Sequence, residues 1–147
     1  MGCGARLVSG AGVNAGTPIT DVPVHDGHPW ITYSLLAINV AVWLVMIFTG
    51  GSRDPENLLR FGGKYGPLIY EGEYWRLFAP MFLHIGFMHL LFNSYALFVL
   101  GMETEGFFGR ARFLILYLLA GTLSVVLSYV RSSSLSAGAS GAIFGLV

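Results

Sequence analysis

The sequence predicts an all-α membrane protein, a polytopic bundle of transmembrane helices. Of its 147 residues, 54% are hydrophobic and only 11% are charged, whereas a soluble domain carries about 25% charged residues. The apolar residues form long uncharged runs separated by polar segments, and a run of about 18 residues can cross the hydrocarbon core of a bilayer. The net charge is zero, so nothing in the composition indicates a nucleic-acid partner.

Residues 1–29 are predicted to be a polar, disordered tail. They lack the basic stretch followed by an apolar run that defines a signal peptide. Met1-Gly2-Cys3 weakly resembles an acylation site, but Arg6 stands where myristoylation requires Ser or Thr. Because Cys3 is the single cysteine, the chain can form neither an internal disulfide nor a cysteine metal cluster.

Three complete crossings and the beginning of a fourth are predicted from the apolar runs. The first spans Ile31–Phe48, the second Leu77–Leu100 and the third Phe113–Val130, and the fourth begins at Ser140 and reaches Val147. Eight helical residues extend about 12 Å, less than half of the hydrocarbon core. We therefore expect an N-terminal fragment, whose membrane domain (residues 30–147) is incomplete at its C-terminus.

Two polar segments connect these crossings. Gly50–Arg76 holds most of the charged residues together with Trp and Tyr side chains, which favour the headgroup region. We expect this loop to lie at the membrane interface, and Gly62-Gly63 and Gly66-Pro67 argue against a long helix within it. Gly101–Arg112 is predicted to be a short charged connection.

The first candidate site consists of His89 and Asn93 in the second crossing. Residues four apart share one face of a helix, so both side chains present a hydrogen-bond donor to the same place. Polar side chains inside a membrane usually face the bundle interior or a water-filled cavity, and two neutral donors suit the stabilisation of an oxyanion. A hydrogen bond that joins two helices is the structural alternative, and this motif alone does not decide between them.

His84 lies five residues before His89, about 140° around a helix, so the two rings are not expected to share a face. The sequence has no His-Glu-x-x-His motif and this crossing has no acidic residue, which argues against a metal site. His84 is therefore predicted to be a structural histidine near the start of the helix.

The second candidate is Ser140, which Gly138 and Gly141 flank at the predicted start of a helix. Small neighbours leave the hydroxyl uncrowded and let a substrate backbone approach, and a helix N-terminus favours developing negative charge. Two structural alternatives stay open. Ala137, Gly141 and Gly145 form a stripe of small residues typical of helix packing in membranes, and serine is also a common N-cap.

A third set flanks the second crossing. Glu73-Tyr74-Trp75-Arg76 precedes it, and Gly101, Glu105 and Gly109 follow at intervals of four. These residues are interpreted as interface anchors and helix-end features. Arg76 and Glu105 more often tie loops to helices than take part in chemistry.

In their order and spacing, these residues resemble the rhomboid family of intramembrane serine proteases. The resemblance runs from about Ile31 to Val147. It rests on Trp75-Arg76, His84, His89, Asn93, Gly101, Glu105, Gly109, Gly138, Ser140 and Gly141. It implies a helical bundle of at least six crossings, of which about three and a half are present.

The resemblance also implies roles for these residues. Ser140 would be the nucleophile, and His89, Asn93 and the Ser140 backbone N–H would stabilise the oxyanion. The positions matched as motif or structural residues are Trp75, Arg76, His84, Glu105, Gly138 and Gly141. Membrane proteins cleaved within or near a transmembrane segment would be the substrates, no cofactor is implied, and the expected location is the plasma membrane (the inner membrane of a bacterium).

One departure from the family pattern concerns the general base. The family pairs its serine with a histidine on the sixth crossing, and no histidine follows His89 here. Because serine is a weak nucleophile without an adjacent base, we expect the 147-residue chain to be inactive and the intact protein to be active. The alternative is a non-catalytic member of the same fold that binds transmembrane clients. A transporter or channel is disfavoured, because the three complete crossings contain no Asp, Glu, Lys or Arg.

Overall fold

The computed structural model describes residues 28–147, and these residues confirm the all-α class. The six α-helices found there are α1 (Trp30–Phe48), α2 (Pro55–Arg60), α3 (Gly66–Tyr70), α4 (Phe87–Phe108), α5 (Arg110–Arg131) and α6 (Ser140–Phe144). Two 3₁₀ turns, Tyr74–Leu77 and Ala79–Phe82, lie between α3 and α4. The predicted disordered tail lies almost wholly outside the described residues.

The long helices α1, α4 and α5 pack against one another in alternating directions. Within residues 28–147, α1 and α5 are the two helices long and apolar enough to cross a membrane. Only 22% of the most apolar stretch of each is buried inside the chain, which leaves side chains such as Leu44, Leu119 and Leu127 exposed. Apolar faces that the protein does not cover are suited to contact with lipid.

The second predicted crossing is shifted along the chain. α4 spans Phe87–Phe108, whereas the apolar run predicts Leu77–Leu100. The earlier residues stay outside the helix because Pro80 lies in a 3₁₀ turn and Gly86 adopts a φ of 82°, which interrupts a helix. At the other end, Thr104 and Glu105 are buried within α4. The prediction of a charged connection at Gly101–Arg112 was therefore wrong, since only Gly109, with a φ of 80°, separates α4 from α5.

The charged loop is made of short helices tied to the end of α1. The Asp54 carboxylate accepts a hydrogen bond from the Asn57 backbone N–H at 2.7 Å and so caps α2. The buried Asn57 amide in turn donates to the carbonyls of Met46 at 2.9 Å and Gly51 at 3.0 Å. No long helix forms in this loop, as the paired glycines predict. The location of the loop at the membrane interface stays a prediction.

The main hydrophobic core joins the short helix α6 to α4, α5 and the Ala79–Phe82 turn. Its buried members come from α1, the Ala79–Phe82 turn, α4, α5 and α6, and they are Leu35, Met81, Leu97, Phe113, Tyr117, Ala139, Ala142 and Ile143. Ala139 and Ala142 are completely buried. The segment that carries Ser140 is therefore anchored to the core through Ala139 and Ala142.

Candidate active site

Ser140 is the first residue of α6 and is half-buried. Ala139 occupies the N-cap position, and no side chain caps this helix. The interpretation of Ser140 as a plain N-cap was therefore wrong.

The small residues of α6 form a close contact with α5. A Cβ placed on Gly141 would overlap the Ser124 side chain, and one placed on Gly145 would overlap Ala120. The packing stripe predicted from sequence is thus present at these two glycines, whereas Ala137 precedes the helix.

Gly138 separates Ser140 from the ring of His89. A Cβ placed on Gly138 would lie 2.7 Å from Cε1 and 2.9 Å from Nε2 of His89, and 3.8 Å from Ser140 Oγ. Gly138 also has a φ of 144°, a conformation that side chains disfavour. The Nε2 edge of His89 and the Ser140 hydroxyl therefore face the same small space, which is open only because residue 138 has no side chain.

The protonation of His89 follows from its hydrogen bond at Nδ1. The backbone N–H of Ile85 donates to Nδ1 across 3.4 Å, a long contact that favours the neutral tautomer with its proton on Nε2. The nitrogen that faces Gly138 is therefore a hydrogen-bond donor.

Asn93 lies one turn further along α4 and is 7% exposed. Its amide nitrogen is buried and has no hydrogen-bond partner within residues 28–147. Buried donors are nearly always paired, so the Asn93 amide carries an unused hydrogen-bond donor within the described residues.

His84 lies beside His89, contrary to the prediction from helical geometry. The ring centroids are 5.5 Å apart in an edge-to-face arrangement, because the chain turns at Gly86 and His84 is not part of α4. Burial and the neighbouring His89 ring together lower the pKa of His84 to about 4, so the ring is neutral at pH 7. Across residues 28–147, no group of three or more His, Cys, Asp or Glu side chains is placed to hold a metal ion.

A cavity of about 180 Å³ reaches Ser140 from the side of α5. Its lining includes the hydroxyl-bearing residues Ser124, Ser128 and Ser136 together with Gly138 and Gly141. A water molecule occupies about 30 Å³ of liquid, so this space is large enough for several waters or for a short piece of peptide.

A sequence model of the Rhomboid domain matches residues 71–147, more than half of the chain. The chain belongs to the rhomboid family. Together with the apolar helices α1 and α5, this membership identifies it as an integral membrane protein.

Several rhomboid relatives are similar over most of this chain. It is 45% identical over 120 residues to "Rhomboid protease GluP" of Bacillus subtilis, covering 82% of this chain and 24% of that protein. It is 33% identical over 149 residues to "Rhomboid-like protease 1" of Toxoplasma gondii, covering 95% and 50%. It is 32% identical over 134 residues to "Rhomboid protease AarA" of Providencia stuartii, covering 79% and 48%. The chain thus spans between a quarter and a half of the length of these relatives.

Two of the rhomboid motif residues make structural ties away from Ser140. The buried Glu105 carboxylate accepts hydrogen bonds from the Ile31 N–H at 3.1 Å, and from the Thr32 N–H and hydroxyl at 2.8 Å each. It thereby satisfies the first turn of α1. Arg76 donates from Nε to Glu73 at 2.6 Å and from Nη1 to the carbonyls of Leu59 at 2.6 Å and Gly63 at 3.2 Å.

Trp75 covers Gly62 of the charged loop. Its ring lies so close to Gly62 that a Cβ there would overlap it, and the Arg76 guanidinium stacks 4.7 Å from the ring centroid. Trp75, Arg76 and Glu105 thus stabilise the loop and α1 rather than contact the Ser140 hydroxyl.

Lys64 is a buried residue of the charged loop, ahead of the stretch that the Rhomboid model matches, and sequence reasoning did not single it out. It is 1% exposed, and its ammonium donates to the carbonyls of Ser132 at 2.8 Å and Ser128 at 3.4 Å, at the end of α5. Burial lowers the pKa of the Lys64 ammonium below its ordinary value. The only sequence signal was its position between Gly62-Gly63 and Gly66-Pro67, a setting in which backbones can approach closely.

Proposed function

We propose that the protein to which this chain belongs is an intramembrane serine endopeptidase with Ser140 as its nucleophile. The single observation that carries this proposal is the position of the Ser140 hydroxyl and the Nε2 edge of His89 around Gly138. A carbonyl carbon placed against Ser140 Oγ would have its oxygen directed toward a fixed donor. Membership of a family with named proteases supports this interpretation.

The proposed reaction is acyl transfer followed by hydrolysis. Ser140 Oγ attacks the peptide carbonyl while its proton passes to a general base. The C–N bond then breaks, the leaving amine takes that proton, and water hydrolyses the acyl-enzyme. His89 Nε2–H and Asn93 Nδ2–H would stabilise the negative charge on the carbonyl oxygen, and removal of one such donor typically lowers the rate about 10²–10³-fold.

The general base is proposed to come from outside residues 28–147. His89 cannot take the Ser140 proton at Nε2, because that nitrogen already carries one when Nδ1 accepts from Ile85. His28 lies at the opposite end of the bundle, where its carbonyl accepts a hydrogen bond from Arg110. By its resemblance to the rhomboid family, whose serine is paired with a histidine on the sixth crossing, we propose a histidine on a further helix as the base, and an isolated 147-residue chain that is inactive.

The substrates are proposed to be membrane proteins cleaved within or near a transmembrane segment. α6 packs against α4 and α5, which supports an approach of the scissile bond from the bilayer or its interface. The cavity beside Ser140 provides space for the attacking water. The plasma membrane is the proposed location, and no cofactor is required by this chemistry.

A fluorophosphonate probe tests the proposal directly in the full-length protein in detergent or liposomes. Ser140 Oγ should displace fluoride and form a P–O bond, so wild type is labelled and Ser140→Ala is not. Ser134→Ala, which changes an exposed loop serine, should be labelled like wild type. His89→Ala should lower the labelling rate about 100-fold. Absence of labelling in wild type would overturn the protease proposal and favour the client-binding alternative, whereas labelling of the isolated chain would place the base within it.

A further inference from the structure

We propose that Lys64 is a positioning residue for Ser140: its side chain fixes the segment Ser132–Ala139, which carries Gly138 and leads into the nucleophile. This inference rests on the proposed function, because it assigns Lys64 a role in that same reaction. Lys64 does not contact the reacting atoms and would act through the backbone between α5 and α6.

The first observation is the contact between Lys64 and the end of α5. Its ammonium donates to the carbonyl of Ser132 at 2.8 Å and reaches that of Ser128 at 3.4 Å. The last carbonyls of a helix lack partners within the helix, and a cation there also interacts favourably with the helix dipole. Lys64 therefore determines where α5 ends and where the following segment begins.

The second observation is a short backbone pairing that involves the same residue. Lys64 and Ser136 exchange two hydrogen bonds of 2.9 Å in an antiparallel bridge, and the Gly66 N–H donates to the Ser133 carbonyl at 2.9 Å. A Cβ at Gly66 would lie 2.7 Å from Ser133 Cβ. Residues 64–66 thus hold the connecting segment at Ser132, Ser133 and Ser136.

The third observation concerns the backbone hydrogen bonds on either side of the Lys64–Ser136 bridge. Upstream, Arg76 donates to the carbonyl of Gly63, so the backbone next to Lys64 is itself anchored. Downstream, the Gly138 N–H donates to the Pro80 carbonyl at 2.9 Å, only two residues beyond Ser136. The path from Lys64 to the Gly138 position beside His89 therefore runs through consecutive hydrogen-bonded backbone.

The chemical character of the contact explains why the residue is a lysine. Its two partners are carbonyl oxygens, and no carboxylate lies within ion-pair distance of Lys64 in residues 28–147. A methionine of similar length fills the space but leaves the Ser132 carbonyl without its donor. Arginine keeps a charged donor at the same place. If Lys64 positions Ser140, its loss must slow the chemical step, because Gly138 and the nucleophile would shift relative to His89.

The test compares Lys64→Met and Lys64→Arg in the full-length protein. Each is measured for the rate of Ser140 phosphonylation at saturating fluorophosphonate, for kcat and KM on a transmembrane peptide, and for Tm. Thr32→Val is the matched control, since it removes the Thr32 hydroxyl bond to Glu105 at the other end of the bundle. It lowers stability without touching the segment that Lys64 holds.

The expected result is a loss of about 10- to 100-fold in the saturating labelling rate and in kcat for Lys64→Met, which corresponds to one charged hydrogen bond. KM should change little, Lys64→Arg should recover most of the rate, and Thr32→Val should keep the wild-type rate despite a lower Tm. If Lys64→Met does not fold, Lys64→Gln, which retains one neutral donor, is measured in the same way.

A wild-type rate in Lys64→Met, or in Lys64→Gln where that variant replaces it, would overturn the role of Lys64 while leaving the protease proposal intact. The role of Lys64 would also be overturned if Thr32→Val, at the same Tm as Lys64→Met, lost the same amount of rate. The loss of rate would then follow from lower stability alone. Lack of labelling in wild type would instead overturn the proposed function, so the two failures are distinguishable.

Discussion

At the scale of single residues, the site depends on the absence of a side chain at Gly138. Gly138 has a positive φ and lies where a Cβ would press against His89. Two costs of substitution are therefore combined at this position, the strain of the backbone conformation and the displacement of the His89 ring. A second glycine, Gly72, shares the positive φ but has no heavy atom within 4 Å of its Cβ position.

We predict that Gly138→Ala abolishes Ser140 labelling while Gly72→Ala does not. Both variants should lose about 1 kcal/mol or more of stability from the backbone strain. Only Gly138→Ala moves His89, and a displacement of about 1 Å in an active site can lower the rate about 100-fold. Labelling rates and Tm values measured side by side separate the two costs. Equal labelling of the two variants would show that the space beside His89 does not matter.

The residues around Ser140 show which parts of the site can be predicted from the sequence. Ser140, His89 and Asn93 could be singled out as candidates because they are polar or glycine-flanked residues in apolar segments, although each motif alone left a structural alternative open. Lys64 could not, because its partners are backbone carbonyls more than sixty positions away, and no side-chain motif records such a contact. The proximity of His84 to His89 was missed for a similar reason, since a turn at Gly86 replaces the helix that the spacing assumed.

At the scale of secondary-structure elements, α1 and α4 are joined by one buried carboxylate. Glu105 is 3% exposed and receives three hydrogen bonds from the first turn of α1. Gly101, one turn earlier, lets the helices approach, since a Cβ there would lie 2.9 Å from the Thr32 side chain. The cost of burying the charge is offset only while all three donors are present.

We predict that Glu105→Gln destabilises the protein by about 2–4 kcal/mol, because an amide offers one acceptor oxygen and directs an N–H toward the donors of α1. Glu103→Gln is the matched control. It removes the same charge from an exposed position two residues away and should change stability by less than about 0.5 kcal/mol. Reversible unfolding in mixed micelles measures both. A similar loss in the two variants would mean that overall charge, and not the cap on α1, accounts for the effect.

The two ends of α4 could not be predicted from the sequence. Apolar character places the start near Leu77, but the conformations of Pro80 and Gly86 delay the helix to Phe87. At the other end, the charges of Glu103 and Glu105 suggest a loop, yet the helix continues because Glu105 finds its partners on α1. Tertiary contacts thus decide both ends of α4, whereas α1 and α5, whose apolar runs are uninterrupted, begin and end within three residues of their predicted bounds.

At the scale of the whole molecule, the alternating helices divide the described residues between two ends. One end holds the charged loop, the Ser132–Ser136 segment and Ser140, as the Lys64–Ser136 bridge requires. The other holds Trp30, Glu105 and the turn at Gly109, as the bonds from α1 to Glu105 require. If α1, α4 and α5 each cross the bilayer, these ends face opposite sides of the membrane.

We therefore predict the sidedness of three single cysteines introduced after Cys3→Ser. Glu71→Cys and Ser134→Cys lie at the Ser140 end and Arg112→Cys at the other, and all three replace exposed residues. A membrane-impermeant maleimide should label the first two from one side and the third only from the opposite side, in intact cells compared with inverted vesicles. Leu119→Cys, exposed in the middle of α5, is expected to resist the reagent from both sides because lipid covers it. Labelling of Glu71→Cys and Arg112→Cys from the same side would contradict this arrangement, since an odd number of crossings separates them.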